Sequence, residues 1–481
     1  MNLAAPPGLL HAPLQDWART RADAVAIRCG ATTLRFGELQ QALQARAAAL
    51  NQARAPATVL VDGGLPLPQR LVDFLGIVAS GRCAAVGDAD WPPAVQQAVL
   101  QALPHTACDM PAPQPESPFY VGFTSGSSGM PKGFRRHHRS WVESFRICLE
   151  TFGPDAAGPI LAPGRDAHSL FLFGMLLGLW SGAGVTVQER FSARATLQTL
   201  AQGDTPCLVA VPSQLLVLLD VARQRALAPM PGLRLILISG ARWMRSRTAE
   251  LRQLFPQARI VEFYGASETS FIAWMDSDTE APASVVGRPF ANVDVQIRRA
   301  QGADAAGLIY VRSPMLFMDY VGAADGTAAL RDGDWLSVQD QGYLDAQGRL
   351  CLVGRHNRMI VTQGKNLFAE ELEAVLEAHP AIAQASVQGL DDARRGAQVV
   401  AVLQWRGPAD GTAPRPDSAQ LRAWCQQQLE AFKCPRRFYV CSDWPRTVSG
   451  KTDHPALAQA LAHLQETPAT PGPTPWLQRW H

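Results

Sequence analysis

The sequence predicts an α/β fold in two or more domains, on three observations. Residues 233–238, 244–254 and 258–263 read as strand, helix and strand at the spacing of a βαβ unit, which requires parallel strands covered by helices. At 481 residues the chain exceeds what one hydrophobic core usually organises. Near Asp340 the texture changes to an antiparallel hairpin followed by a small α/β region.

The elements follow in order. Residues 119–123 (FYVGF) are a short apolar strand running into the Ser/Gly-rich loop 124–133, TSGSSGMPKG. A helix is expected next, because Trp141, Phe145, Cys148 and Phe152 recur at helical spacing. Residues 169–188 carry no charge and are long enough for a membrane span. Gly174, Gly178, Gly182 and Gly184 interrupt them, and Arg165 and Asp166 precede them, so a buried helix and strand are expected instead of a span. Residues 342–353 alternate around Asp345-Ala346-Gln347-Gly348 as a hairpin does. Strands are expected at 359–362, 383–387 and 399–404, and helices at 369–378 and 418–429, the last with Leu421, Trp424, Cys425 and Leu429 on one face. The domain boundary falls near 354–358, and the Pro-rich end, 467–481, reads as a loosely held tail. Residues 55–103 are weakly patterned and give no clear elements.

Composition excludes several classes. A formal net charge of +2 provides neither the basic field that nucleic acid needs nor an acidic tail. Nine cysteines stand scattered, with no CxxC pair and no zinc spacing, and an odd number fits no simple disulfide framework. They read as free thiols in a reducing compartment. Residues 1–16 lack a basic segment followed by an apolar core, so no secretory signal is evident and a cytoplasmic location is expected.

Chemistry concentrates in the loop 124–133. Small hydroxyl residues and glycines let backbone N–H groups approach phosphate oxygens, and Lys132 adds a positive charge. The P-loop pattern GxxxxGK[ST] is not matched, since Lys132 follows Met130-Pro131 and precedes Gly133. A plain surface loop is the competing reading, and the strand leading directly into it favours phosphate binding. Only four lysines, 132, 365, 433 and 451, occur among 44 basic residues, so each is a candidate for a place that needs a compact ammonium.

TSGSSGMPKG resembles the signature of the acyl-adenylate-forming superfamily, which contains acyl-CoA synthetases, adenylation domains of nonribosomal peptide synthetases and firefly luciferase. Further motifs follow in that family's order. Residues 262–268, EFYGASE, resemble its YGxTE element; 335–340 resemble the segment ending in a ribose-binding aspartate. Gly354-Arg355, Ile360, Gly364 and 370–373 resemble its hinge motif, and 445–451, PRTVSGK, its catalytic-lysine motif. The resemblance implies a large multi-subdomain N-terminal domain, 1–356, with βαβ sheets, and a small mobile C-terminal α/β domain, 357–481. It implies an ATP-dependent, AMP-forming ligase with ATP and Mg²⁺ as cofactors. Thr124, Ser125, Gly126, Ser127, Ser128, Gly129 and Lys132 would hold phosphate, with Thr124 counted among the catalytic residues. Glu268 would bind Mg²⁺. Gly240, Ala241, Glu262, Phe263, Tyr264, Gly265 and Ser267 would lie at the nucleotide. Asp340 and Arg355 would hold the ribose, and Lys451 would bridge the acyl carboxylate and the α-phosphate. A carboxylate attacking an anionic phosphate needs positioned cations rather than a protein nucleophile, which agrees with this set.

The sequence departs from the family pattern at His356-Asn357-Arg358, where acidic residues are usual, at Ala369 in place of a common proline, and at His454 in place of a frequent arginine. These departures bear on the second half-reaction. No acid stands in the stretch 168–171, where amino-acid-activating members carry one; Asp166 lies two residues earlier, out of register. A pocket of His168, Phe171, Phe173 and Gly174 would suit a fatty or other apolar or aryl acid; His168 reads equally as a pocket wall or a packed histidine. CoA is the expected acceptor, with Gly364 and Lys365 on the thioester-forming face; the pantetheine of an acyl carrier protein is the alternative. No integral membrane span and no nucleic acid partner are expected. A non-catalytic adenylate-binding regulator is disfavoured by the presence of Lys132, Lys451 and Glu268 together.

Overall fold

The computed structural model describes residues 8–125, 131–277, 280–282, 284–298, 306–321, 330–355, 358–362, 365–392, 396–407, 415–447, 450–466 and 476–480. The chain divides into two compact units. The first is Met1–Ala281 with Val286–Val295 and Val311–Leu336; the second is Pro282–Val285, Gln296–Tyr310 and Ser337–His481.

The first unit contains the expected βαβ sheet. Strands Arg259–Ala266, Leu235–Ile238, Cys207–Ala210, Ile160–Ala162, Val185–Val187 and Val25–Cys29 are neighbours in that order and run parallel. Ser270–Asp276 and Thr32–Arg35 flank this parallel set antiparallel, and Ser270–Asp276 pairs in turn with Val285–Pro289. Every residue of Leu235–Ile238 is buried, as a parallel strand covered on both faces must be. Leu215, Leu218 and Leu251 from helices Pro212–Gln224 and Thr248–Leu254 pack on Ile236 and Ile238. The helix expected over 244–254 starts later, at Thr248, after a tight turn Arg245–Arg247. Arg245 is drawn to Glu262 there, and Trp243 Nε1 donates to Thr248 Oγ1 at 2.9 Å.

The uncharged stretch forms helix Ser169–Trp180, buried from Leu170 onward, and strand Val185–Val187. Its glycines allow close backbone approach: a Cβ on Gly184 (φ +84°) would stand 2.3 Å from the Val25 carbonyl oxygen. Among the described residues, no helix is long and apolar enough to cross a membrane.

A second sheet orders Asp319–Val321, Pro131–His137, Pro118–Ser125, Cys83–Ala85 and Thr58–Leu60. The weakly patterned region 55–103 therefore holds a strand, helix Leu67–Ala79, a parallel strand and helix Pro93–Ala102. The Ser/Gly loop is corrected here. It joins two antiparallel strands, pairing Thr124 with Lys132 and Ser125 with Pro131, and the helix His138–Phe152 begins only after the second strand. That strand escaped notice because its buried positions include Arg136, which breaks the apolar alternation.

In the second unit, Asp340–Leu344 and Leu350–Arg355 form the expected hairpin. Asp345 Oδ1 accepts from the Gln347 and Arg349 amides at 3.0 and 2.8 Å and shapes the turn. Strands Met359–Thr362 and Lys365–Phe368 pair antiparallel. A four-stranded sheet follows in the order Ile382–Asp392, Gly396–Trp405, Arg437–Cys441, Leu477–Trp480. Helices Ala369–Glu377 and Ser418–Gln426 bury Leu372, Leu376, Leu421 and Cys425 against Val387, Leu403 and Phe438. Helix His454–Glu466 buries Leu457 and Leu461 against Val400, Val402 and Tyr439. The tail is a second correction: Leu477–Trp480 is a strand, with Leu477 in that core and the Trp480 indole donating to the Pro416 carbonyl at 2.9 Å. All nine cysteines are unbonded.

Candidate active site

In the first unit the base of the 124–133 hairpin carries the charged groups. Thr124 Oγ1 donates to the Lys132 carbonyl at 3.5 Å across the ladder. Gly126, Ser127, Ser128 and Gly129 lie outside the described residues, as does the Ser125 side chain. The Lys132 ammonium stands 4.0 Å from the centre of the Tyr320 ring, a cation–π geometry. The Tyr320 hydroxyl donates to Glu268 Oε1 at 2.9 Å. Burial first, and then the Glu268 carboxylate, push the Tyr320 phenol above its ordinary pKa, so it stays a donor. The hairpin lysine and the EFYGASE glutamate, 136 positions apart in the numbering, thus meet on one aromatic ring.

The segment bearing Glu268 is held tightly. Strands Arg259–Ala266 and Ser270–Asp276 pair through Gly265 and Ala266, and a Cβ on Gly265 would lie 1.9 Å from the Ser270 carbonyl oxygen, so only glycine fits. Ser270 is left-handed, φ +56°, a conformation that costs about 1–3 kcal/mol and persists where neighbours enforce it. Arg136 is the enforcer. Its guanidinium, 1 % exposed, donates to the Ser267 carbonyl at 2.7 Å, the Met315 carbonyl at 2.6 Å, the Ser140 hydroxyl at 3.2 Å and the Ser270 hydroxyl. Burial pulls its pKa down to about 9 while Glu268 and Tyr120 act against that, so it stays charged at neutral pH. Sequence reasoning missed Tyr320 and Arg136; neither carries a local signal, because what they join is distant in the chain.

The other nucleotide candidates line the C-terminal ends of the parallel strands. Gly240, φ +89°, follows Leu235–Ile238, and a Cβ there would approach Val211 Cγ1 at 3.2 Å and His168 Cε1 at 4.0 Å. Ala241 beside it is exposed. His168 caps helix Ser169–Trp180, its Nδ1 accepting from the Leu170 amide at 3.3 Å, and its ring lies 5.2 Å from Phe171. Phe263 and Tyr264 are half-buried, Phe263 with its ring edge-on to Phe271 at 4.9 Å. Glu262 is engaged by Arg245 through both oxygens. Phe173 and Gly174 are core residues: Phe173 packs among Trp141, Phe145 and Phe271, and Gly174 faces Val209 and Ala162. Asp166 is buried in an ion pair with Arg70 at 2.9 Å.

In the second unit, Asp340 is buried and its Oδ1 meets Arg355 Nε at 3.1 Å, the two being cross-strand partners. Lys451 has an exposed side chain on a tight turn, where its amide donates to Thr447 Oγ1 at 3.2 Å and its carbonyl accepts from the Thr447 amide at 2.8 Å. Lys365 is exposed, its ammonium 4.8 Å from the Phe432 ring centre. Gly364, His356 and Asn357 lie outside the described residues. Arg358 sits between Glu370 and Glu373, and His454 Nδ1 is 2.8 Å from Ser386 Oγ with burial lowering its pKa to about 4.

Among the described residues, no group of three or more His, Cys, Asp or Glu is arranged to hold a metal by itself. A single carboxylate such as Glu268 beside the base of the 124–133 hairpin suits Mg²⁺, which is bound through one or two carboxylates plus substrate phosphates.

Residues 53–321 match the family described as AMP-binding enzyme, and 371–451 match the AMP-binding enzyme C-terminal domain. An uncharacterized acyl–CoA ligase, YhfT, of Bacillus subtilis is 36% identical over 371 residues, covering 76% of this chain and 73% of its own. A 4-chlorobenzoate–CoA ligase of an Arthrobacter species is 30% identical over 371 residues, covering 74% and 69%. The fold is similar to that of the O-succinylbenzoate coenzyme A synthetase MenE of Bacillus subtilis, solved with AMP. The TM-score is 0.78 at 21% identity, covering 92% of this chain and 97% of that one. With more than half its length matched by the family model and a relative above 30% identity covered over most of both chains, this protein belongs to the AMP-binding enzyme family.

Proposed function

We propose that this protein is an AMP-forming acyl-CoA ligase acting on a fatty or other apolar or aryl carboxylic acid. One observation carries the reading: the hairpin's Lys132 and the carboxylate Glu268 are gathered on Tyr320. That gives a cation for triphosphate oxygens beside an anion for the accompanying metal. The relatives named as CoA ligases supply the acceptor.

In the first half-reaction the substrate carboxylate attacks the α-phosphorus of ATP and pyrophosphate leaves, giving acyl-AMP. Lys132 and the amides of the hairpin loop would hold the β- and γ-phosphates, with Thr124 at the loop's base. Mg²⁺, held by Glu268 and phosphate oxygens, would offset the charge on the leaving pyrophosphate. Asp340 would accept from the ribose hydroxyls, with Arg355 fixing its carboxylate. Gly240 and Ala241 with Phe263 and Tyr264 would line the adenine, and Lys451 would neutralise the carboxylate and α-phosphate as they meet. In the second half-reaction the CoA thiol attacks the acyl carbonyl and AMP leaves. The mobile piece would be residues 357–481, and Lys365 would reach a CoA phosphate. His168, beside Gly240, and Phe171 would form the acyl pocket. Asp166, tied to Arg70, is not disposed to meet an α-amino group, which speaks against a free amino acid as substrate.

The test is carboxylate-dependent pyrophosphate release across fatty, aryl and amino acids, with and without CoA, on the parent and Lys451→Ala. Release with an apolar acid and a CoA adduct by mass is expected. Lys451→Ala should abolish adenylate formation and spare thioester formation from supplied acyl-AMP; equal loss of both sinks the lysine's assignment. Release without a CoA adduct would turn the acceptor toward a carrier protein.

A further inference from the structure

We propose that Tyr320 is a positioning residue that couples Lys132 to Glu268, so that Mg²⁺ and nucleotide bind cooperatively. The proposal rests on the reading of Lys132 and Glu268 as the phosphate and metal groups, and it adds a residue outside the motifs quoted above. Tyr320 lies in the three-residue strand Asp319–Val321, which pairs antiparallel with the strand of Lys132, Tyr320 opposite Phe134. Lys132 and Phe134 are two positions apart and so share a sheet face, which brings the ring beneath the ammonium. The hydroxyl reaches Glu268 from the other side.

The strand cannot drift from either partner. Asp319 is bound by Arg135 Nε at 2.9 Å, and the Met318 amide donates to the Arg135 carbonyl at 2.8 Å. The Phe317 amide donates to the Glu268 carbonyl at 2.7 Å, and the Phe317 ring lies 4.9 Å from the Tyr320 ring. Backbone as well as side chain thus ties this strand to the hairpin on one hand and to the glutamate on the other.

One ring serving both charges links them chemically. A phenol that donates to a carboxylate becomes more electron-rich, and its face holds a cation more firmly. Charge drawn away from Glu268 weakens that polarisation and loosens the hold on the Lys132 ammonium, which can then pass to phosphate. By reciprocity, moving Lys132 to phosphate favours metal at Glu268.

The experiment measures ATP affinity of the full chain by titration calorimetry, with Mg²⁺ and with EDTA, and takes the ratio. Tyr320→Phe keeps the ring and its packing on Phe317 but removes the donor. The Mg²⁺-dependent gain should shrink about tenfold, the worth of one hydrogen bond to a charged group, because affinity in EDTA rises once the ring no longer holds Lys132 back, while affinity with Mg²⁺ changes less than about twofold. Site-specific 3-fluorotyrosine at 320, which preserves packing and strengthens donation, should move the ratio without altering thermal unfolding, and it carries the test if the phenylalanine variant folds poorly. An unchanged ratio in both, while Lys132→Ala and Glu268→Gln lower it, overturns the coupling and leaves the ligase reading intact. No effect of Lys132→Ala or Glu268→Gln overturns both.

Discussion

Replacing Arg136 with methionine should destabilise the first unit by about 4 kcal/mol, since each buried acceptor left without its donor costs about 1–3 kcal/mol. The structure shows how that cost arises. Four acceptors lose a donor, yet they do not count equally. The Ser140 hydroxyl already donates to the His137 carbonyl at 2.6 Å, and the Ser270 hydroxyl can rotate toward another partner. The carbonyls of Ser267 and Met315 lose the donor that Arg136 supplied, at about 1–3 kcal/mol each. Methionine fills similar volume and removes the burial cost of the charge, which keeps the total from being larger. Left-handed Ser270 also loses its tether. The assay is urea unfolding followed by tryptophan fluorescence, with Arg136→Lys alongside. Lysine restores the charge but not a planar fork that serves several acceptors at once, so it should fall between methionine and the parent. A methionine variant with the parent's midpoint and slope, or a lysine variant fully restored, would refute the argument that these carbonyls depend on the guanidinium.

Two further outcomes follow from the geometry. Gly265→Ala must push the Ser270 carbonyl away, because a Cβ would stand 1.9 Å from it; a loss of at least about 2–3 kcal/mol in unfolding free energy is expected, together with weaker Mg²⁺-dependent ATP binding. Acid should also weaken the protein through His11 and His138, whose folded pKa values are lowered by burial to about 4 and about 3 from 6.5. The unfolded chain takes up those protons first, so stability is constant above pH 6.5 and falls as pH drops toward the folded values, by at most about 1.4 kcal/mol per pH unit for each histidine. His138 Nδ1 accepts from the Leu10 amide at 3.2 Å, so protonation costs that bond. Unfolding midpoints compared at pH 7 and pH 5 check this, and His138→Gln should flatten the difference.

Elements with a strong period were legible in the sequence. Trp141, Phe145, Cys148 and Phe152 did mark one helix face, and all four are buried in His138–Phe152. Residues 235–238 and 259–262 are the parallel pair that the βαβ spacing implied. Where polar chemistry replaced apolar patterning, the reading stopped. The strand Pro131–His137 buries a guanidinium where a periodic pattern wants a hydrocarbon, and so it passed for part of a loop. Leu477–Trp480 has a single fully buried side chain, too little for a period, and a Pro-rich stretch precedes it. At the site, motifs located Lys132 and Glu268 one at a time. What the sequence withheld was Tyr320, 52 positions beyond Glu268, because a hydrogen bond between distant segments leaves no trace in local spacing.

The terminal strand has a practical consequence. Leu477–Trp480 covers the outer side of Arg437–Cys441, pairing Phe438 with Trp480 and Cys441 with Leu477. A variant cut at residue 466 would leave that row of amides and carbonyls open, flanked by apolar Phe438 and Tyr439, as a template on which a second molecule's chain can add. Shortened versions of this protein should therefore be judged by whether they stay monodisperse on storage.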